Sequence, residues 1–384
     1  MNKHVIMILA NAYRPDPRVQ REANGLTNAG HHVTIICWDR SAELTERELT
    51  DGIEIIRVHD VLSTYGSGWR QLFYLPRFWQ RAIQIAVDLR PDIVHCHDLD
   101  TLYAGWRLKQ RLKCKLVYDA HEHYPALMSL YLPKLLAQAL VGWERWLQKS
   151  VDATITASTI LADEFRVRGI SPVITLGNFP DVEAYLHIDQ EQADRGRSIM
   201  GVSHDQLLVG YIASFSRNRQ LLPFIEAAAL LPHVHFHIWG DGLQRPEVEG
   251  AVAQHANVAY HGWAKPNELP TLFTAVDIIY YALRVDYPGA VYNAPNTLAQ
   301  AMAAGRPIIA NDVGDLGRIV RTTDCGILLD DVTATSIADA VSQLEDRQMR
   351  IQLGGNGQRA AIETYNVNQL DDQLVQIYQS LYAG

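Results

Sequence analysis

The stretch Pro288–Val320, PGAVYNAPNTLAQAMAAGRPIIANDVGDLGRIV, is the part of the chain on which its architecture turns. Pro288, Gly289 and Pro295 break its opening into a loop, and Asn296–Ala304 is then rich in good helix formers. Gly305, just past the last periodic residue and followed by Pro307, is a helix stop, because glycine enters the left-handed cap conformation without strain. The apolar run Ile308–Ala310 predicts a short buried strand, and 311–317 the loop into the next helix. A helix start and a strand-end loop thus fall within one α/β unit, where free backbone N–H groups and the helix dipole can hold a phosphate.

The same alternation runs along the chain in both directions. Ahead of residue 180, apolar runs at His4–Ala10, His32–Trp38, Ile53–Val58, 91–97, Lys115–Asp119, Ala153–Ala157 and Val173–Leu176 read as strands, most of them separated by helical patterns. The pattern restarts at Leu207–Ala213 and continues through His235–Trp239, Val258–Trp263, Ala275–Tyr280 and Gly326–Leu329. Strands alternating with helices imply a parallel sheet with right-handed crossovers, and two such series imply two doubly wound, Rossmann-like α/β domains. The expected division is 1–185, a polar connection over 186–204, a second domain over 205–365, and a last amphipathic helix within 366–384.

Composition bounds the function. The 384 residues are 20% charged and 48% hydrophobic, as in a soluble globular protein, and no window is apolar for the ~18 residues a membrane span needs. The opening MNKHVIMILANAYRPD breaks at Asn11, too early for a secretory signal, and Cys37, Cys96, Cys114 and Cys325 form neither a zinc-ligand nor a disulfide pattern, so a reducing cytoplasm is the expected home. Up to Pro180 there are 21 Lys and Arg against 19 Asp and Glu, a balance of +2, and the remainder carries −11, which together give the net −9. An acidic chain is not a default partner of nucleic acid.

The motifs in this frame resemble those of the retaining family-4 glycosyltransferases of the GT-B fold. Pro295, Asn296, Leu298, Ala301, Met302, Ala303, Ala304, Gly305 and Pro307 match the donor-site segment of that family. The resemblance implies two Rossmann-like domains facing across a cleft, the last helix returning to the first domain, no metal, and no cofactor beyond a UDP- or GDP-linked sugar as co-substrate. It implies further that His121, in Ala120-His121-Glu122-His123, lies beside the donor sugar, where a histidine can hydrogen-bond a hydroxyl or assist proton movement. Arg219, with Arg217 as the alternative, is implied to grip the diphosphate, as a guanidinium can hold two phosphate oxygens at once. Gly240, Gly262, Trp263, Tyr292, Asn296, Thr297, Gln300 and Gly314 complete the implied donor site. Two registers depart from the family: Tyr292 and Gln300 stand where it places glutamates, and Thr297 stands where lysine is frequent.

The activity this implies is sugar transfer, with retention, from a nucleotide sugar to a glycan or lipid-linked acceptor in polysaccharide assembly. The missing glutamates keep open a non-catalytic, partner-dependent subunit, and the architecture keeps open a nucleotide-sugar epimerase. Asp98-Leu99-Asp100 has the form of a metal-binding D-x-D, and Asp98 that of a helix N-cap. Arg14 and Arg18 offer contacts to a phosphate or acceptor, or pack and solvate a helix start. The stretch Gly68–Arg81 interleaves aromatics with arginines, as in a helix lying on the inner face of a membrane or in a core helix whose arginines snorkel.

Overall fold

The computed structural model describes residues 2–14, 16–63 and 71–382. The chain divides into two compact units, 1–177 with 370–384, and 178–369. In the first, β1 (His4–Leu9), β2 (His32–Trp38), β3 (Arg47–Thr50), β4 (Ile53–Val58), β5 (Ile93–His97), β6 (Lys115–Ala120), β7 (Ala153–Thr156) and β8 (Val173–Thr175) form one sheet in the order β3-β4-β2-β1-β5-β6-β7-β8. In the second, β9 (Leu208–Ile212), β10 (His235–Trp239), β11 (Val258–Tyr260), β12 (Ile278–Tyr281), β13 (Ile308–Asn311) and β14 (Gly326–Leu329) run β11-β10-β9-β12-β13-β14. All pairings are parallel except β3 with β4.

Both sheets are doubly wound, and in each the strand order reverses once near the middle, between β1 and β5 and between β9 and β12. Neighbouring connections leave the sheet in opposite directions there, which opens a crevice at the carboxyl ends of the two strands. The central strands are continuous apolar runs because helices cover both faces: Val5 to Leu9 and Leu208 to Ile212 are buried throughout.

The structure departs from the sequence expectations in three places. The first boundary falls at Gly177 rather than 185. The span 186–204 is not a connection: it carries the helix Gln190–Ile199, started by an Asp189–Gln192 capping box. That helix is held in the second unit by buried Arg197, which donates to Ala275 O and Asp277 Oδ2, both at 2.9 Å. The antiparallel edge strand β3 gave no apolar alternation because all four of its residues are exposed, as suits a charged edge that discourages further pairing.

The last helix, Val367–Ser380, belongs to the first unit from Leu370 onward. Leu370, Leu374, Ile377, Tyr378 and Leu381 are all buried, at the spacing of one helical face. Tyr378 is 1% exposed, and its hydroxyl lies 2.7 Å from His95 Nδ1. Tyr378→Phe should therefore cost about 1 kcal/mol through the lost hydrogen bond, and Tyr378→Ala about 3–5 kcal/mol through the cavity. Urea unfolding measures both, and equal losses would show that the ring does not pack as described.

Candidate functional site

In the first unit the site is built on the ends of β1, β5 and β6. Asp119, fully buried near the end of β6, is the acceptor around which the rest is arranged. Arg18 reaches it from the helix Pro17–Asn28 with Nη2 on Oδ1 at 2.7 Å and Nε on Oδ2 at 3.2 Å, while its Nη1 donates to Leu176 O at 2.7 Å. Arg18 is thus spent inside the domain rather than offered to a ligand, and Arg14 is exposed and paired with Glu43 at 2.6 Å. Asp119 in turn is held well below the usual carboxylate range: burial opposes this, but Arg18 and His121 outweigh it.

His121 sits directly over this pair. Its Nε2 lies 3.2 Å from Asp119 Oδ2 and 3.0 Å from His97 Nδ1, and its Nδ1 lies 3.7 Å from Asp98 Oδ2. Burial pulls the imidazole towards neutrality, but Asp98 and Asp119 overcome it and lift His121 to about 9. His97, buried and beside two other histidines, is pushed down to about 3 and is neutral. Asp98 does not cap its helix through its side chain; it sits at φ 62°, and its Oδ1 accepts from the His121 backbone N–H at 3.0 Å. His123 is structural: its Nδ1 accepts from Ala126 N–H and starts the short helix Tyr124–Met128.

A cavity of about 290 Å³ opens at this edge, lined among others by His97, Asp98, Asp100, His121, Glu122 and Tyr131. Burial, reinforced by the Asp98 charge, pushes both Asp100 and Glu122 up to about 7. Beneath it Glu22, His95, His97 and Asp119 bring potential ligand atoms within 4.8 Å of one another. The cation between these two carboxylates is Arg18 itself, whose Nε is 3.1 Å from Glu22 Oε1 and 3.2 Å from Asp119 Oδ2.

In the second unit the loop after β9 is stitched to the chain leaving β12. Gln220 N–H donates to Ala282 O, Gln220 Nε2 to Leu283 O and Arg284 N–H to Asn218 O, at 2.8–3.1 Å. Asn311, ending β13, clamps the same segment from the other side, donating to Leu283 O at 2.7 Å and accepting from Leu283 N–H at 2.9 Å. Three adjacent strand ends therefore fix Arg219, whose guanidinium lies over the Tyr281 ring at 4.7 Å. Its Nε and Nη1 are buried with no hydrogen-bond partner. Among the described residues no carboxylate pairs with it, whereas Arg197 is paired with Asp277 and Arg306 donates to Thr274 O.

Tyr281 OH is 3.4 Å from Asn293 Oδ1, and Thr297 Oγ1 donates to Ile212 O at 3.3 Å, pinning the start of the helix Asn296–Ala303 to the end of β9. Arg219, Asn296 and Thr297 are thus gathered at one edge. Gly240 joins them through close backbone approach: at φ 157° a Cβ there would lie 2.1 Å from Ala213 O, and its N–H donates to Gly262 O. At Gly314, opening the next helix, a Cβ would lie 2.0 Å from Val291 O, beside Tyr292. Arg217 and Trp263 are exposed, and Gln300 is half-buried on the helix.

Comparison with known proteins gives the family of the chain. Residues 18–184 match Glycosyltransferase Family 4, and residues 206–347 match Glycosyl transferases group 1. The chain is a family-4-like group 1 glycosyltransferase. Its two Rossmann-like units form a GT-B fold, and sucrose-phosphate synthase from Thermosynechococcus elongatus superposes with a TM-score of 0.84 at 18% identity, covering 99% of this chain and 100% of that one. Anabaena HepE in complex with UDP-glucose gives 0.76 at 16% identity, covering 99% and 100%. In sequence, an uncharacterized glycosyltransferase of Methanocaldococcus jannaschii is 23% identical over 93% of this chain and 92% of its own length. A GDP-mannose-dependent alpha-mannosyltransferase of Mycobacterium tuberculosis is 23% identical over 84% and 83%.

Reading this glycosyltransferase from its sequence misses Asp119, His97, Tyr281, Asn293 and Asn311. His97, Tyr281 and Asn311 close their strands and Asp119 stands one residue before the end of its own, and a polar residue at the end of an apolar run was the available signal. The charge on His121 is directly measurable. Its ring should titrate near pH 9, and Asp98→Asn should lower that midpoint. A raised pKa stabilises the fold fully below about 6.5, the ordinary histidine value, and that stability is lost as pH rises through about 9. NMR of the imidazole signals reads this, and a midpoint at the ordinary value in the native protein would contradict the network.

Proposed function

We propose that this glycosyltransferase takes its sugar from a nucleoside diphosphate donor, UDP- or GDP-linked, and that Arg219 holds the diphosphate. The observation that carries this reading is the pair of buried, unpartnered N–H groups on Arg219, fixed from three strand ends. Leaving such donors dry costs about 1–3 kcal/mol each, and that cost is relieved when an anion arrives. The donors named for HepE and the mannosyltransferase are of the same class.

The acceptor binds in the first unit, in the cavity beside His121, where Asp98, Asp100 and Glu122 suit the hydroxyl groups of a glycan or of a lipid-linked glycan intermediate. His121, carrying a proton at neutral pH, donates to the oxygens of that acceptor. Retention without a metal follows the family resemblance, with the leaving diphosphate neutralised by Arg219 and backbone N–H groups at the start of the helix Asn296–Ala303. Tyr292 and Gln300 offer no carboxylate nucleophile at the registers they occupy. The enzyme works at the inner, cytoplasmic face of the membrane, bound peripherally.

Arg219→Ala should lower turnover by ~10²-fold or more, the usual loss when a preorganised charge partner is removed, with the fold intact by circular dichroism. Arg217→Ala should leave turnover within a few-fold. Wild-type turnover in Arg219→Ala, measured with the UDP- or GDP-sugar the enzyme accepts, would overturn the assignment.

A further inference from the structure

The helix Lys134–Gln148 buries one face against the first unit through Ala137, Glu144, Leu147 and Gln148, and what it turns outward is not an ordinary solvated surface. Leu135, Ala139, Gly142 and Trp146 recur along the exposed side at helical spacing; Leu135 is 79% and Trp146 47% exposed. Leu136 and, in the preceding turn, Leu130 and Tyr131 extend the apolar strip. Beside it on the same exposed side run Lys134, Gln138, Arg145 and Lys149, spaced so that they form a basic edge. The helix has one acid, Glu144, which is buried and paired with Arg168 and the Tyr118 hydroxyl.

The strip is backed by aromatic contacts. Trp146 meets Trp106 at 4.7 Å, and Tyr103 joins Trp106 to Trp79 and Trp143 across the neighbouring helices. Arg107 and Arg111 add exposed cations from the helix Leu99–Leu112. Tryptophan, leucine and flanking cations without opposing acids are the composition of a surface that lies in the headgroup region of a bilayer. The local row of cations, set on a chain whose net charge is −9, selects an anionic surface as its occupant. Of the aromatics expected to do this, in the stretch before residue 82, Phe78 is fully buried against Trp38 and Trp79 donates to Asp100 O, while Phe73 is 67% exposed; residues 68–70 lie outside the described ones.

We propose that the exposed face of the helix Lys134–Gln148, with Tyr131 before it and Lys149 after it, is a membrane-docking surface for anionic lipid. It rests on the peripheral membrane location proposed above and names the surface responsible: vesicle binding by the wild type tests the location, the variants test the face, and sugar transfer is measured apart from both. The full chain is co-sedimented with phosphatidylcholine vesicles with and without phosphatidylglycerol, at low and raised salt. Binding is expected with the anionic vesicles, weakened by salt. Arg145→Gln with Lys149→Gln should reduce partitioning about thirty-fold, equivalent to about 2 kcal/mol, since each surface cation contributes about 1 kcal/mol at an anionic membrane. Leu135→Glu with Trp146→Glu should abolish it, while donor turnover with a soluble acceptor is unchanged. No binding of wild type at low salt, or undiminished binding of both variants, overturns the proposal. So does a concentration-dependent dimer that the Leu135→Glu, Trp146→Glu variant abolishes, since the face would then belong to a second copy.

Discussion

A guanidinium with buried N–H groups must have its charge answered, and two arginines of this protein meet that constraint in opposite ways. Arg18 is answered from within: Asp119 takes two of its nitrogens, a backbone carbonyl a third, and Glu22 lies alongside. Arg219 is answered on neither Nε nor Nη1, although the loop that carries it is tied to two neighbouring strand ends. The first pairing fixes a domain, since removing either partner would leave an isolated charge in the core. The second holds a donor set in readiness, which lowers the ordering cost of gripping an anion.

Both arrangements sit where the doubly wound topology puts them. The cavity by His121 is lined from the ends of β1 and β5, and Arg219 is fixed between the exits of β9 and β12, the two places where strand order reverses. The fold therefore supplies two crevices of similar origin, and the side chains differentiate them. One is rich in carboxylates and carries a charged histidine, suited to hydroxyl groups. The other offers a guanidinium over a tyrosine ring beside a helix start, suited to phosphate.

The architecture was legible because parallel strands announce themselves as compact apolar runs, and Gly305, at φ 65°, ends its helix where the glycine rule places it. What stayed hidden depends on partners far away in sequence. Arg18 reads as a loop cation until Asp119 is found 101 residues on. Asn311 shows its purpose only against Leu283, and Tyr378 only against His95. The helix Gln190–Ile199 was obscured by a polar surface, since only Ala193 and Arg197 are buried along it. Arg219 and His121 were singled out through motif resemblance, while Arg217, equally basic, is exposed and lacks the buried N–H groups and ring contact of Arg219.

The central claim is that Arg219, with no carboxylate paired to it among the described residues and its Nε and Nη1 without partners, is held for a diphosphate. Calorimetric titration of the full chain with nucleoside mono- and diphosphates of uridine and guanosine, in wild type and Arg219→Gln, tests it most directly. The wild type should prefer the diphosphate of its nucleoside over the monophosphate by ~10-fold or more, the value of a charge-assisted hydrogen bond, and the variant should lose that preference while still binding the monophosphate. An equal preference in both proteins would contradict the account.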